Sequence, residues 1–181
     1  LCPYLFLVNL ANFHPEVIVA PIMLVAILEA TSKRKYLYYA TLLISLSAKK
    51  AQVLFGVGLG MYSLIKGKFR RGIFTILISI LWWLISSKFS AESGDFIQLR
   101  LGYLGDSAGA ILTTLITQPW QILTESSIEQ ISFYTLGLIM PCAALLNFRA
   151  IPALAGTLPI YITNIISSSS MQRDLSWHYS I

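Results

Sequence analysis

Apolar runs of near-constant length, closed off by short polar or basic clusters, set the pattern of this chain. Residues 15–32 are almost entirely apolar apart from Glu16 and Glu29, and "KRK" at 33–35 ends the run. A helix needs about 20 apolar residues to cross a hydrocarbon core of roughly 30 Å, so this stretch predicts a nearly spanning helix. Pro15 suits its first turn and Glu16 complements the dipole there, while Glu29 and Lys33 stand i,i+4 near its far end. Two further apolar runs, 36–48 and 51–65, flank Lys49 and Lys50. As one continuous helix over 36–65 they would measure about 45 Å and hold two lysines at mid-membrane, at about 2.5–3.5 kcal/mol each. As a hairpin with arms of about 20 Å they place the lysine turn in a water-accessible dent on one side, and this is the arrangement expected.

The basic loop "KGKFRR" (66–71) follows, then an apolar run at 72–89 with Trp82 and Trp83 toward its later half. From 90 to 127 the polarity rises, with Glu92, Asp95, Arg100, Asp106 and Glu125, and no run there is long enough to cross a bilayer. That segment is expected outside the membrane, with Asp106 capping a short helix at 107–117 that Pro119 ends. Two more spans are expected at 128–147 and 150–167, joined by "NFRA", and the serines at 167–170 suit a helix end entering water.

Composition fixes the class. The chain is 56% hydrophobic and 12% charged, with a mean hydropathy of +0.70, against roughly a quarter charged residues in a soluble domain. The expected fold is therefore all-α: a polytopic transmembrane helix bundle forming one integral-membrane domain over residues 1–181. The sequence opens on "LCPYLFLVNL" without methionine or a basic leader, and it reads as a fragment of a longer polytopic protein. Cys2 and Cys142 stand alone in apolar surroundings, as packing residues.

The net charge of +5 does not indicate a nucleic-acid partner, because the basic residues sit in short clusters between apolar runs rather than along one amphipathic face. It indicates orientation and a lipid partner. The tightest turns hold Lys33, Arg34 and Lys35, then Lys66, Lys68, Arg70 and Arg71, then Arg149; Lys49, Lys50, Lys88, Arg100 and Arg173 are spread over the other side. Cytoplasmic loops carry the excess of Lys and Arg. His14, the lysine turn, residues 90–127 and His178 are thus expected on the non-cytoplasmic face, with the inner (plasma) membrane of a bacterium as the location.

Several residues on that face could carry chemistry. His14, beside Phe13, Pro15 and Glu16, could contact a polar head group at the mouth of a site, or simply mark the interface before a helix. Lys49 and Lys50 could hold a phosphate or pyrophosphate, or snorkel to the interface. In "RLGYLGDS", Arg100, Tyr103 and Asp106 stand with two glycines that could admit a ligand to the backbone, although a turn and an N-cap explain the same string. Glu92 and Asp95 could serve as a general base or as metal ligands, or be solvated loop acids. His178 is a polar tip. No nucleotide-binding loop, serine-hydrolase elbow, HExxH or CxxC pair occurs. No cofactor is evident; a divalent metal stays open, with no ligand spacing in the sequence to support it.

Through "NFHPEVIVAPIMLVAILEATSKRK" and "LLISLSAKKAQVLFGVGLGMYSLIKGKFRRG" the chain resembles a family of predicted polytopic membrane proteins of unknown function. The matching positions are Phe13 to Glu16, Lys49, the Gly56 to Gly60 run, Tyr103 to Gly105, and His178 with Tyr179. One departure stands out: Lys50 occupies the place of a glutamate, which disfavours a metal and favours an anion. That family is similar in layout to the glycosyltransferase C superfamily, whose members transfer a sugar from a polyprenyl-phosphate carrier on the non-cytoplasmic side. The resemblance implies a membrane glycosyltransferase in which His14, Lys49, Lys50, Arg100, Tyr103 and His178 bind substrate and the catalytic acid lies upstream of Leu1. The alternative is a non-catalytic polytopic membrane protein, permease-like or a structural subunit.

Overall fold

The computed structural model describes residues 15–89, 100–145 and 147–174, and every regular element among them is helical. The chain divides into two compact units. Of the described residues, one holds 15–89 and 147–160, and the other holds 100–145 and 161–174.

The first unit is built on four helices: α1 (Pro15–Glu29), α2 (Lys35–Ala48), α3 (Val53–Ile65) and α4 (Phe69–Phe89). Among the described residues only α4 meets the spanning criterion of length and apolarity, over Phe69–Lys88. At 1.5 Å per residue, α2 and α3 are about 20 Å long, short of the core thickness. The polytopic expectation is therefore met in length by one helix among the described residues. Helix α1 also carries Pro21 in its interior, where the missing N–H interrupts the backbone ladder.

Between α2 and α3 the backbone breaks at Lys49, which is extended (φ −158°, ψ 144°), and a single 3-10 turn over Lys50–Gln52 leads into α3. The two arms run antiparallel. Near the break, Leu46 lies against Gly56; at the other end Tyr38 faces Ser63. At its far end α3 closes on Gly67, whose φ of +74° only glycine adopts without strain. The Gly67 N–H bonds the carbonyl of Leu64 and the Lys68 N–H that of Ser63, both at 2.9 Å, the pairing of a Schellman motif.

Small residues set the spacing between these helices. Gly56 lies against Ser79, and Gly60 against Gly72 and Ile76, so α3 and α4 approach at backbone distance. On another face of α3, Gly58 meets the backbone of Gly156 in the first part of α8 (Ile151–Ile166). Close approach through small side chains is how helices associate where lipid removes the hydrophobic drive.

The second unit contains a 3-10 turn at Gly102–Leu104, α5 (Ala108–Thr117), the one-turn α6 (Ile122–Glu125), α7 (Ile128–Ile139) and the end of α8. Ser107, not Asp106, caps α5: its side chain accepts from the Ala110 N–H at 3.2 Å. Both residue types cap well, and the extended backbone at 107 decides between them. Helix α7 stops at Ile139 and continues as 3-10 turns over Met140–Leu145, shorter than the 128–147 run suggested, because Pro141 cannot donate to the α-helical ladder. Leu104, Ile111 and Ile166 form the buried centre of this unit. Beside it Tyr134 stacks on Tyr161 with centroids 6.1 Å apart and accepts a 2.8 Å bond from the Asn164 amide.

Candidate functional site

The first unit buries several hydroxyls beside an apolar centre of Ala26, Tyr38, Leu42, Leu46, Phe55 and Leu59, and it exposes many large apolar side chains. On α4, Thr75 and Ser79 are fully buried, while Phe74 and Leu77 are 58% and 55% exposed. Ile73, Ile80, Leu81, Leu84 and Ile85 continue the exposed face at helical spacing. Helix α2 repeats the scheme, burying Thr41 and Ser45 and exposing Leu43 and Ile44. Thr41, Ser45, Ser63, Thr75 and Ser79 all donate to the carbonyl four residues back, at 2.8–2.9 Å. Tyr38 and Thr75 add a 2.7 Å bond between α2 and α4. A contiguous apolar surface of this size is stable against lipid rather than water, and hydroxyls that serve their own helix cost little there.

The lysine turn lies at one end of this bundle. Lys49 is exposed, whereas the Lys50 ammonium is shielded from solvent and has no hydrogen-bond partner among the described residues. Desolvating a cation without compensation is costly, so this ammonium is placed to gain from a nearby anion. The side chain that departs from the family pattern is thus also the one whose charge lacks a counterpart among the described residues.

At the opposite end of α2, basic groups gather where α1, α2 and α4 meet. The Arg71 guanidinium donates to the carbonyls of Glu29 (2.9 Å) and Ala30 (2.7 Å), which end α1, and lies 5.1 Å from the Tyr38 ring centre. Glu29 accepts from Ser32 and pairs with Arg34 at 3.7 Å. Next to Arg71 an open cleft of about 520 Å³ is bordered by Lys35, Lys68 and Arg70. From the sequence these cations indicate only orientation; their convergence depends on contacts between distant segments.

Arg100 and Tyr103 belong to the other unit. The Arg100 carbonyl accepts from the Ser168 N–H at 2.8 Å, and the Tyr103 hydroxyl donates to the Ile166 carbonyl at 2.7 Å. Ser126 and the buried Arg173 also donate to the carbonyls that end α8, those of Ile165 and Ser167. Tyr103 therefore helps close a helix terminus. Gly105 takes a φ of +148° and packs against Ala110, so its need for glycine is met by the turn itself. His14, His178, Glu92 and Asp95 lie outside the described residues. Among the described residues no three His, Cys, Asp or Glu side chains gather as a metal site.

No curated protein and no solved structure matches the chain. The sequence model of the DUF2079 family, described as a predicted membrane protein, matches residues 1–181. The match runs over this whole length, on a chain whose described residues include one helix apolar enough to span and many exposed large apolar side chains. The chain belongs to the DUF2079 family of predicted membrane proteins.

Proposed function

We propose that this chain is part of a polytopic membrane glycosyltransferase that moves a sugar from a polyprenyl-phosphate carrier to an acceptor on the non-cytoplasmic face, with the Lys49–Lys50 turn holding the carrier's phosphate. The observation that carries this reading is the Lys50 ammonium, withdrawn from solvent and without a hydrogen-bond partner among the described residues, at the tip of a helical hairpin. When a sugar leaves such a carrier, negative charge grows on the departing lipid phosphate, and a preformed cation in a poorly solvated place stabilises it. Lys49, extended and exposed beside it, supplies a second positive charge at the mouth of the turn.

Binding of a polyprenyl phosphate to the full chain in lipid nanodiscs tests it. Lys50→Met keeps the side-chain volume and removes the charge, and it is expected to weaken binding at least tenfold, corresponding to about 1.4 kcal/mol or more. Lys49→Met is expected to have a smaller effect, and the uncharged polyprenol should bind wild type and Lys50→Met alike. Equal affinity of wild type and Lys50→Met for the phosphate would overturn the assignment. Full rescue of a host's glycan profile by that variant would likewise favour a non-catalytic, permease-like or structural membrane protein.

A further inference from the structure

The end of the first unit remote from the lysine turn carries a second concentration of charge, one that the glycosyltransferase reading does not use. Lys35 opens α2, Lys68 follows the glycine turn, and Arg70 and Arg71 lie in the first turn of α4; all four border the cleft of about 520 Å³. Among the described residues no acidic side chain lines it. The nearby carboxylate of Glu29 is already engaged by Ser32 and Arg34. Arg71 is held by the carbonyls of Glu29 and Ala30, which fixes one wall.

The remaining walls are aromatic. Tyr39 is half-buried, and Phe69 and Phe74 are 65% and 58% exposed. Phe74 also begins the exposed apolar stripe that continues through Leu77 and Leu81. A ligand that met the cations alone could be any small anion. A ligand that also extends along the aromatic wall onto that stripe must be amphiphilic. Cations placed beside a lipid-facing apolar surface are the usual means of holding an anionic head group.

We propose that this cleft binds the phosphate head group of an anionic phospholipid, with its acyl chains lying along the exposed face of α4. Lys35, Lys68 and Arg70 neutralise the phosphate, and Arg71 orders the floor. The basic loop then does more than orient the chain: it fixes a lipid at a defined place in the leaflet it faces. This site shares no residue with the Lys49–Lys50 turn, so either assignment can fail without the other.

The test uses the full chain, titrated with phosphatidylglycerol or phosphatidylcholine and followed by native mass spectrometry and thermal shift. Wild type is expected to retain phosphatidylglycerol roughly tenfold better than phosphatidylcholine. The double variant Lys68→Ala/Arg70→Ala should lose that preference, and so should Lys35→Ala/Lys68→Ala, which leaves the first turn of α4 intact. The charge-matched pair Lys33→Ala/Lys66→Ala, outside the cleft, should keep it. Equal losses in the cleft pairs and the outside pair would show diffuse attraction and overturn the site. A thermal shift with inorganic phosphate as large as that with the lipid would overturn a lipid as the occupant.

Discussion

Replacing Gly58 with leucine is expected to abolish recovery of folded protein. A side chain at this position would run into the backbone of Gly156, which has no flexible end to give way. Even alanine must push the two helices apart. Overpacking of that kind costs about 1–3 kcal/mol, so Gly58→Ala should lower the melting temperature of the detergent-solubilised chain by roughly 2–12 °C. Gly109→Leu provides the control, because nothing lies within 4 Å of a Cβ built there. A Gly58→Leu protein that elutes and melts like wild type would remove the α3–α8 contact from this account.

Loss of Arg71 should have the next largest effect. Its guanidinium serves two carbonyls at the end of α1 and packs over the Tyr38 ring, whose hydroxyl bonds Thr75 on α4. Methionine in its place would leave both carbonyls without this donor and loosen α1 from α2 and α4 together. Hydrogen bonds from a charged donor contribute more than neutral ones, and a net destabilisation of about 2–3 kcal/mol is expected for Arg71→Met. Arg71→Lys should recover only part of it, because an ammonium can donate to both carbonyls, as Nη1 does, but does not reproduce the planar guanidinium over the Tyr38 ring. Denaturant titration of the purified variants would measure both values. A lysine variant as stable as wild type would mean that charge alone, rather than geometry, holds the end of α1.

What could be read from the sequence was whatever depends on residues close together in the chain. The break at Lys49 is legible because a helix through two adjacent lysines would hold both ammoniums in lipid. The end of α5 before Pro119 follows from what proline permits, whereas the loop expected over 66–71 is shorter, α4 already starting at Phe69. Local signals failed where two residues could do the same task, as with Asp106 and Ser107 at the start of α5, or where a proline lay inside an apolar run, as at Pro141. The basic cleft was not legible. It joins residues 35–39 to 67–74, and within either segment the cations look like loop ends. Nor could the sequence tell the two lysines apart, since only packing decides that Lys49 is exposed and the Lys50 ammonium shielded.

The two ends of α2 carry the two proposed anion sites, and the distribution of Lys and Arg along the sequence predicts that those ends face opposite sides of the membrane. Labelling of single cysteines with a membrane-impermeant maleimide tests this most directly, in a background with Cys2→Ser and Cys142→Ser. Lys49→Cys should react in intact cells, whereas Lys66→Cys, at the exposed far end of α3, should react only after permeabilisation. Labelling of Lys66→Cys in intact cells, or of Lys49→Cys only once the membrane is opened, would contradict the arrangement.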